Sequence, residues 1–404
     1  MKKNTNYIYT VVVVMFIILL ISRSNTMVKE TEAVEEIEEI KPPTLAELAI
    51  QKYDSLLTNE LDSSGTVGAA FAIVDRDHIY LIKCYGVKEA GTTDSINKNT
   101  LFRLASVSKA ISGVLAGTML NDSLIGLNDR VIDYLPGFRL KDSLNTVDLT
   151  IRNILSHTSG LVPHAYDNLV EAKVPFRIII DSLYHVDISG KPGEFYGYQN
   201  VVFSLFDTIT TIKTSKSYGE NLKEKVFQPF GMPNACAGFK AFKENKNKAM
   251  PHVLYRAGFR SIALNDRYYN TIPAAGINAS IYDMANLVQH LLCDTLTGCG
   301  YMDTVFTAQV YTPLNRNYFR RWGKVDSRHY GLGWRLVGYR NRKIAYHGGY
   351  VKGYRAEVAF CKEENIGIVY LSNSPNAMAA ISIPLFLNTY FDKDKLSNDT
   401  DARL

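Results

Sequence analysis

The hydrophobic and polar positions divide this chain into an apolar leader, an acidic stretch and a long mixed region. No charge falls between Asn4 and Ser22, and Tyr7 to Ile21 is almost unbroken apolar (YIYTVVVVMFIILLI). As a helix, the uncharged stretch reaches roughly 28 Å, barely a bilayer core. After Pro42-Pro43, Thr44 sits as an N-cap before an amphipathic pattern, LAELAIQKYDSLLTNEL, which predicts a helix. Val67 to Val74 is apolar, Asp75-Arg76-Asp77 is a turn sequence, and His78 to Tyr85 alternates, so a hairpin is expected there. Residues from about 100 to 315 follow a mainly helical pattern with several loops. Strands are then expected at Tyr330 to Val337, Ile344 to His347, Ala356 to Cys361 and Ile366 to Ser372, and a last apolar helix at about Ala377 to Tyr390. Strands at both ends with helices between them predict an α+β domain. Its two termini build one antiparallel sheet, flanked by helices, with the mainly helical lobe inserted between the strands. A cleft between sheet and lobe is where a site is expected.

The leader has two readings. Lys2 and Lys3 precede it, which orients the bulk of the chain outward. A cleaved signal peptide needs small residues at the cut, and Ser22-Arg23-Ser24 is a fair match; an uncleaved anchor suits the β-branched, Leu/Ile-rich run better. Either reading exports the domain, with a periplasmic location and a membrane tether expected. The domain plan is therefore signal or anchor over 1–22, acidic linker over 23–43, folded domain over 44–391 (lobe about 100–315) and polar tail over 392–404. Val28 to Lys41 holds six Glu and two Lys, a local charge of −4, as a solvated linker would.

Composition adds exclusions. The 404 residues carry 45 Lys+Arg against 40 Asp+Glu, and 46% are apolar. This excludes a wholly disordered, collagenous or coiled-coil chain. A net charge of +5 without a basic run gives no reason to expect a nucleic-acid partner. Five cysteines (Cys84, Cys236, Cys293, Cys299, Cys361) form no C-x-x-C, so neither a zinc nor a thioredoxin-type site is expected. Cys293 and Cys299 are spaced to close a short loop, although idle thiols fit the same spacing.

Three motifs carry chemistry, in order. Ser106-Val107-Ser108-Lys109 opens an apolar helix (Ala110, Ile111, Val114, Leu115, Met119). Residues three apart share a helix face, so Lys109 comes beside Ser106. The helix N-terminus favours a developing alkoxide, and a desolvated lysine can accept the serine proton. An N-cap serine beside a solvated lysine is the plainer alternative. A second S-x-x-K, Ser95 to Lys98, lies in a polar turn with no helix behind it. Tyr198-Gln199-Asn200 follows a Pro192-Gly193 turn and an aromatic pair and leads into VVFSLF, expected as helix. A tyrosine held near a lysine can shuttle a proton, and an asparagine can fix the lysine and bind a substrate amide; a core tyrosine fits the same string. His347-Gly348-Gly349 is expected at the end of its strand, where two glycines suit a substrate backbone lying close to an edge.

Taken together the motifs match the layout of serine β-lactamases and penicillin-binding proteins: S-x-x-K, a polar triplet, then a K-T-G-like strand. The sequence resembles the β-lactamase family in its class C branch, which includes D-alanyl-D-alanine carboxypeptidases and related esterases. The resemblance spans about residues 45 to 391. It extends to Phe102-Arg103-Leu104-Ala105, Leu155-Ser156-His157-Thr158-Ser159-Gly160-Leu161, Pro273-Ala274-Ala275-Gly276-Ile277, Tyr282-Asp283-Met284-Ala285 and Tyr330-Gly331-Leu332-Gly333-Trp334. It implies that Ser106 is acylated, that Lys109 and Tyr198 share the base role, and that Asn200 holds Lys109 and the substrate amide. The oxyanion would lie between the N–H groups of Ser106 and Tyr350. The His157 string would shape the fold beside the cleft. No cofactor or metal is implied, the substrate is a small molecule or peptide, and the oligomeric state is left open. One departure stands out: His347 replaces the lysine usual in β-lactam-destroying members, which moves weight toward peptides and esters. The expected function is an exported serine hydrolase; the alternative is a slow penicillin-binding-like receptor or scaffold.

Overall fold

The computed structural model describes residues 42–395 apart from 257, 294–300, 314–318, 320 and 324, together with Met15. Residues 44–404 cluster as one compact unit and 1–43 as another. The leader, the acidic linker and the segment joining Cys293 to Cys299 lie outside the described residues, Met15, Pro42 and Pro43 apart. No helix among the described residues is long and apolar enough to cross a membrane. Cys84, Cys236 and Cys361 are free thiols.

Helix α1 (Leu45–Ser63) starts where Thr44 and Glu47 form a reciprocal capping box. It is followed by strands β1 (Gly68–Val74) and β2 (Ile79–Gly86), and then by the lobe, in which two helices matter most, α2 (Val107–Asn121) and α3 (Ile281–Cys293). Six strands complete the sheet: β3 (Val310–Tyr311), β4 (Ser327–Tyr330), β5 (Arg335–Tyr339), β6 (Arg342–Val351), β7 (Tyr354–Cys361) and β8 (Ile366–Ser372). Helix α4 (Met378–Phe391) follows. The spatial order is β2-β1-β8-β7-β6-β5-β4-β3, antiparallel throughout. The first strand thus pairs with the last, and the fold is the α+β plan expected, its sheet built from both ends of the domain around a helical insert.

Both faces of the sheet are covered, which explains why β1 (GAAFAIV) is apolar without alternation. Ala70, Ala72 and Val74 face the lobe and α3, while Ala69, Phe71 and Ile73 face α1 and α4. On the latter side Tyr53 meets Phe386 and Phe71 edge-on, with ring centroids at 5.2 and 5.9 Å. The lobe also contains short strands: Phe102–Arg103, Cys236–Ala237 and Ile277–Ala279 form a three-stranded sheet, and His252–Tyr255 pairs with Gly258–Ser261.

Two local expectations differ from the structure. Tyr330 to Val337 is a hairpin and not one strand: β4 ends at Tyr330 and β5 starts at Arg335, which pair with each other. The apolar residues of the turn fill the core instead of a strand face, and Trp334 Nε1 donates to Ala110 O at 3.0 Å. Gly333 makes this possible, since its φ is +76° and a Cβ there would overlap the carbonyl oxygen of Lys109. Second, His347 lies inside a ten-residue strand that runs on to Val351. The Gly333→Ala variant therefore combines an unfavourable φ with a backbone clash and should cost about 2 kcal/mol or more, lowering Tm by roughly 3 °C. Calorimetry on the two proteins checks this.

Candidate active site

Ser106 is the N-cap of α2, with helical φ and ψ of −65° and −10° and no side-chain cap bond. Ala105 before it takes a left-handed φ of +49°, which costs an L-residue about 1–2 kcal/mol and turns the chain sharply into the helix. The first turn is tight: the N–H of Lys109 donates to the Ser106 carbonyl at 3.0 Å. Such i→i+3 geometry stacks Lys109 directly against Ser106.

Lys109 is fully buried, and that burial drives its amine well below the ordinary lysine value of 10.5; Asp167 pulls the other way and Arg335 adds to the depression. Its Nζ donates to Asn200 Oδ1 at 2.7 Å and to Ala274 O at 3.0 Å. It also lies over the Tyr198 ring, 4.6 Å from the centroid. Tyr198 closes the group, donating its hydroxyl to Ser106 Oγ at 2.9 Å. The Pro273-Ala274-Ala275-Gly276-Ile277 string braces the polar face of α2: it supplies the Ala274 carbonyl, Ser108 Oγ accepts from Ile277 N at 3.0 Å, and Ser112 Oγ donates to Pro273 O at 2.9 Å. His157 forms the wall behind Tyr198, its ring 4.3 Å from the phenol ring and 4.8 Å from that of Tyr330. Burial keeps this imidazole well below its usual pKa, so it stays neutral. The VVFSLF string begins as successive turns, and the helix starts only at Leu205.

Strand β6 brings the third motif to the serine. A Cβ on Gly349 would overlap Leu104 O and lie 3.0 Å from Ser106 N, so only glycine lets the strand run this close. Both hairpins flanking β6 have two-residue loops, Arg340-Asn341 and Lys352-Gly353. In that register the N–H groups of Arg342, Ile344 and Tyr346 point to β5, and those of Ala345, His347 and Gly349 point to β7. The same alternation aims the N–H of Tyr350 at the edge that β5, which starts only at Arg335, leaves open beside α2.

Ser106, Tyr198, Gly348, Gly349 and Tyr350 line one cleft of about 500 Å³. Asn200 and His347 do not line it. Asn200 is buried and commits its amide nitrogen to Asp167, at 2.9 Å from each carboxylate oxygen. His347 is buried on the face of β6 that Gly349 also turns toward α2, behind the cleft, its Nε2 3.1 Å from Tyr330 OH and its Nδ1 2.9 Å from Gly348 O. Burial, with Arg335 and Lys109 nearby, holds the His347 pKa well below 6.5.

Several residues absent from the motif reading belong here. Arg335 lines the cleft, its guanidinium 5.8 Å from the Tyr198 ring centroid, and so do His164, Arg355 and Glu357. Glu357 is buried, accepts from Tyr346 OH at 2.7 Å and is pushed up to about 7, chiefly by desolvation. The only local hint was Arg335 directly after Tyr330-Gly331-Leu332-Gly333-Trp334. Among the described residues no cluster of three or more His, Cys, Asp or Glu is placed to hold a metal ion.

The family model described as Beta-lactamase matches residues 53–383. The chain belongs to that family. Among curated proteins it is similar to "Unguisins hydrolase ungD'" of Aspergillus campestris, with 23% identity covering 80% of this chain and 61% of that protein. It is similar to "Protein flp" of Staphylococcus aureus as well, at 21% identity, covering 80% and 62%. This β-lactamase-family chain thus spans about three fifths of the length of these relatives. Its fold matches the octameric penicillin-binding protein homologue from Pyrococcus abyssi with a TM-score of 0.71 and 20% identity, over 84% of this chain and 77% of that one.

The buried amine has a thermodynamic signature. The folded chain binds fewer protons at Lys109 than the unfolded chain does from the depressed pKa up to 10.5, so this group's contribution to stability rises with pH across that window. Lys109→Met abolishes the effect. Urea unfolding of both proteins should show the wild type gaining on the variant between pH 7 and pH 10, with a flat difference counting against a depressed Lys109.

Proposed function

We propose that this β-lactamase-family protein is an exported serine hydrolase that cleaves amide or ester bonds through an acyl-enzyme. The observation that carries the reading is the 2.9 Å bond from Tyr198 OH to Ser106 Oγ at the start of a helix, over a buried Lys109. Ser106 Oγ attacks the carbonyl carbon as its proton passes to the Lys109–Tyr198 pair. The oxyanion is held by the N–H groups of Ser106 and Tyr350. Collapse breaks the C–N or C–O bond, and the pair returns the proton to the leaving group. Water, deprotonated by the same pair, then breaks the acyl ester and Ser106 regains its proton. That a relative is named a hydrolase supports the reading. Export rests on the uncharged run from Asn4 to Ser22.

The charge pattern bears on the substrate. A neutral His347 supplies no fixed cation; of the two arginines that line the cleft, Arg355 lies 3.6 Å from the Glu357 carboxylate, and Arg335 is assigned to a substrate carboxylate. We expect ester and peptide hydrolysis with slow or absent nitrocefin turnover.

Labelling the full-length protein with a fluorophosphonate and a fluorescent penicillin tests the reading. A serine hydrolase gives labelling that disappears in Ser106→Ala, together with turnover of a short-chain p-nitrophenyl ester. Stable penicillin labelling without turnover of ester or D-Ala-D-Ala peptide points to a receptor, and labelling unaffected by Ser106→Ala overturns the proposal. Arg335→Ala should raise KM about tenfold for a peptide with a free C-terminal carboxylate and leave its C-amidated form within about twofold. Equal effects on both peptides would remove Arg335 from substrate recognition.

A further inference from the structure

We infer that Asp167 is the positioning residue of this site: by fixing which way the Asn200 amide points, it aims the lone pair of the Lys109 amine. The inference rests on the serine hydrolase reading and adds a residue to it.

Both oxygens of the Asp167 carboxylate accept from Asn200 Nδ2 at 2.9 Å, and Oδ2 also lies 2.8 Å from His164 Nδ1. The Asp167 side chain is 20% exposed, so the bonds are made in a partly dry environment. The loop that delivers it is strained, with left-handed φ at His164 (+60°) and Tyr166 (+61°). On its other side, Asn200 Oδ1 accepts from Lys109 Nζ at 2.7 Å.

An amide can turn over and exchange its oxygen for its nitrogen at little steric cost. Turned over here, Asn200 would present Oδ1 to two carboxylate oxygens and Nδ2 to the lysine. A neutral lysine amine has two hydrogens and one lone pair. With Asn200 as it stands, both hydrogens are accepted, by Asn200 Oδ1 and Ala274 O, and the lone pair is left for the proton of Ser106. With Asn200 turned over, its N–H would occupy that lone pair and Lys109 could no longer act as a base. The negative charge of Asp167 is what makes the turned-over state costly, because an acceptor then faces an acceptor. The role needs Asp167 to touch neither substrate nor serine.

The same carboxylate acts on the charge of Lys109. The groups that bear on the amine are Asp167, which favours its ammonium form, Arg335, which opposes it, and the neutral rings of His157, His347 and Tyr198. Removing the carboxylate leaves Arg335 as the dominant charge. The lysine then titrates lower still, and the acid limb of kcat/KM moves to lower pH.

The test compares full-length wild type, Asp167→Asn and the exchanged pair Asp167→Asn/Asn200→Asp. In Asp167→Asn, kcat for a p-nitrophenyl ester should fall about tenfold or more with KM within twofold, and the acid limb should move down. In the exchanged pair an aspartate faces the lysine and cannot present a donor, so about tenfold of the lost rate should return and the acid limb should lie above that of wild type. NMR titration of 13C-labelled Lys109 reads the same shifts without turnover, so a chain with no hydrolase activity still decides the matter separately. An unchanged kcat in Asp167→Asn overturns the inference. So does a lower kcat with an unmoved acid limb and an unmoved Lys109 titration, since a merely structural role would give that result. If Asp167→Asn does not fold, the exchanged pair, which keeps shape and hydrogen-bond count, carries the test: a Lys109 titration no higher than wild type overturns it.

Discussion

A lysine amine with no exposed surface, three residues after a serine, is the feature around which the rest of this structure is organised. Burying a charged ammonium costs several kcal/mol, and a protein avoids that cost by letting the group go neutral. A neutral amine next to a hydroxyl is a base. The burial that penalises the folded state is therefore also what equips it for chemistry, and the surrounding fold has to hold the group in place without rehydrating it. Asn200 and the Ala274 carbonyl do this with two hydrogen bonds, while the rings of Tyr198 and Phe203 close the space, their centroids 4.6 and 5.6 Å from Nζ.

The sheet supplies the other half of the site. Strand β6 passes Ser106 at a separation that only a glycine permits, and the turn between β4 and β5 presses on α2 through Gly333. Serine, lysine and strand edge are thus fixed by backbone contacts, which deform little. The substrate side is more varied: aromatic rings, Arg335, Arg355 and a carboxyl of raised pKa share one cleft. Under the proposed function, the serine–lysine frame and the cleft wall answer to different constraints, so that one frame can be paired with different cleft walls.

How much of this was legible from the chain follows from the range of each signal. The capped helix at Thr44, the first hairpin and the last helix depend on local chemistry and lie where the pattern puts them. The apolar run Tyr330 to Val337 misled because Gly331 and Gly333 turn it inside a core, where burial and not strand pairing sets the composition. Ser106 and Lys109 were visible because they share one helical turn, and Tyr198 because its Pro-Gly frame was distinctive. Asp167 and Arg335 were not, since no spacing rule links them to Lys109: they reach the amine through Asn200 and across the sheet edge. His347 was visible as a residue but not as a placement, because strand alternation turns its ring inward, against Tyr330 and behind the cleft.

The claim at the centre of this account is that Ser106 owes its reactivity to a neutral Lys109. Peptide mapping of the protein after limited fluorophosphonate exposure, repeated across pH, measures that reactivity at the residue itself. The account predicts an adduct on Ser106 whose rate is already maximal near neutral pH and falls only in acid, and which collapses in Lys109→Ala. An adduct rate that keeps climbing toward pH 10, or one unaffected by Lys109→Ala, would contradict it.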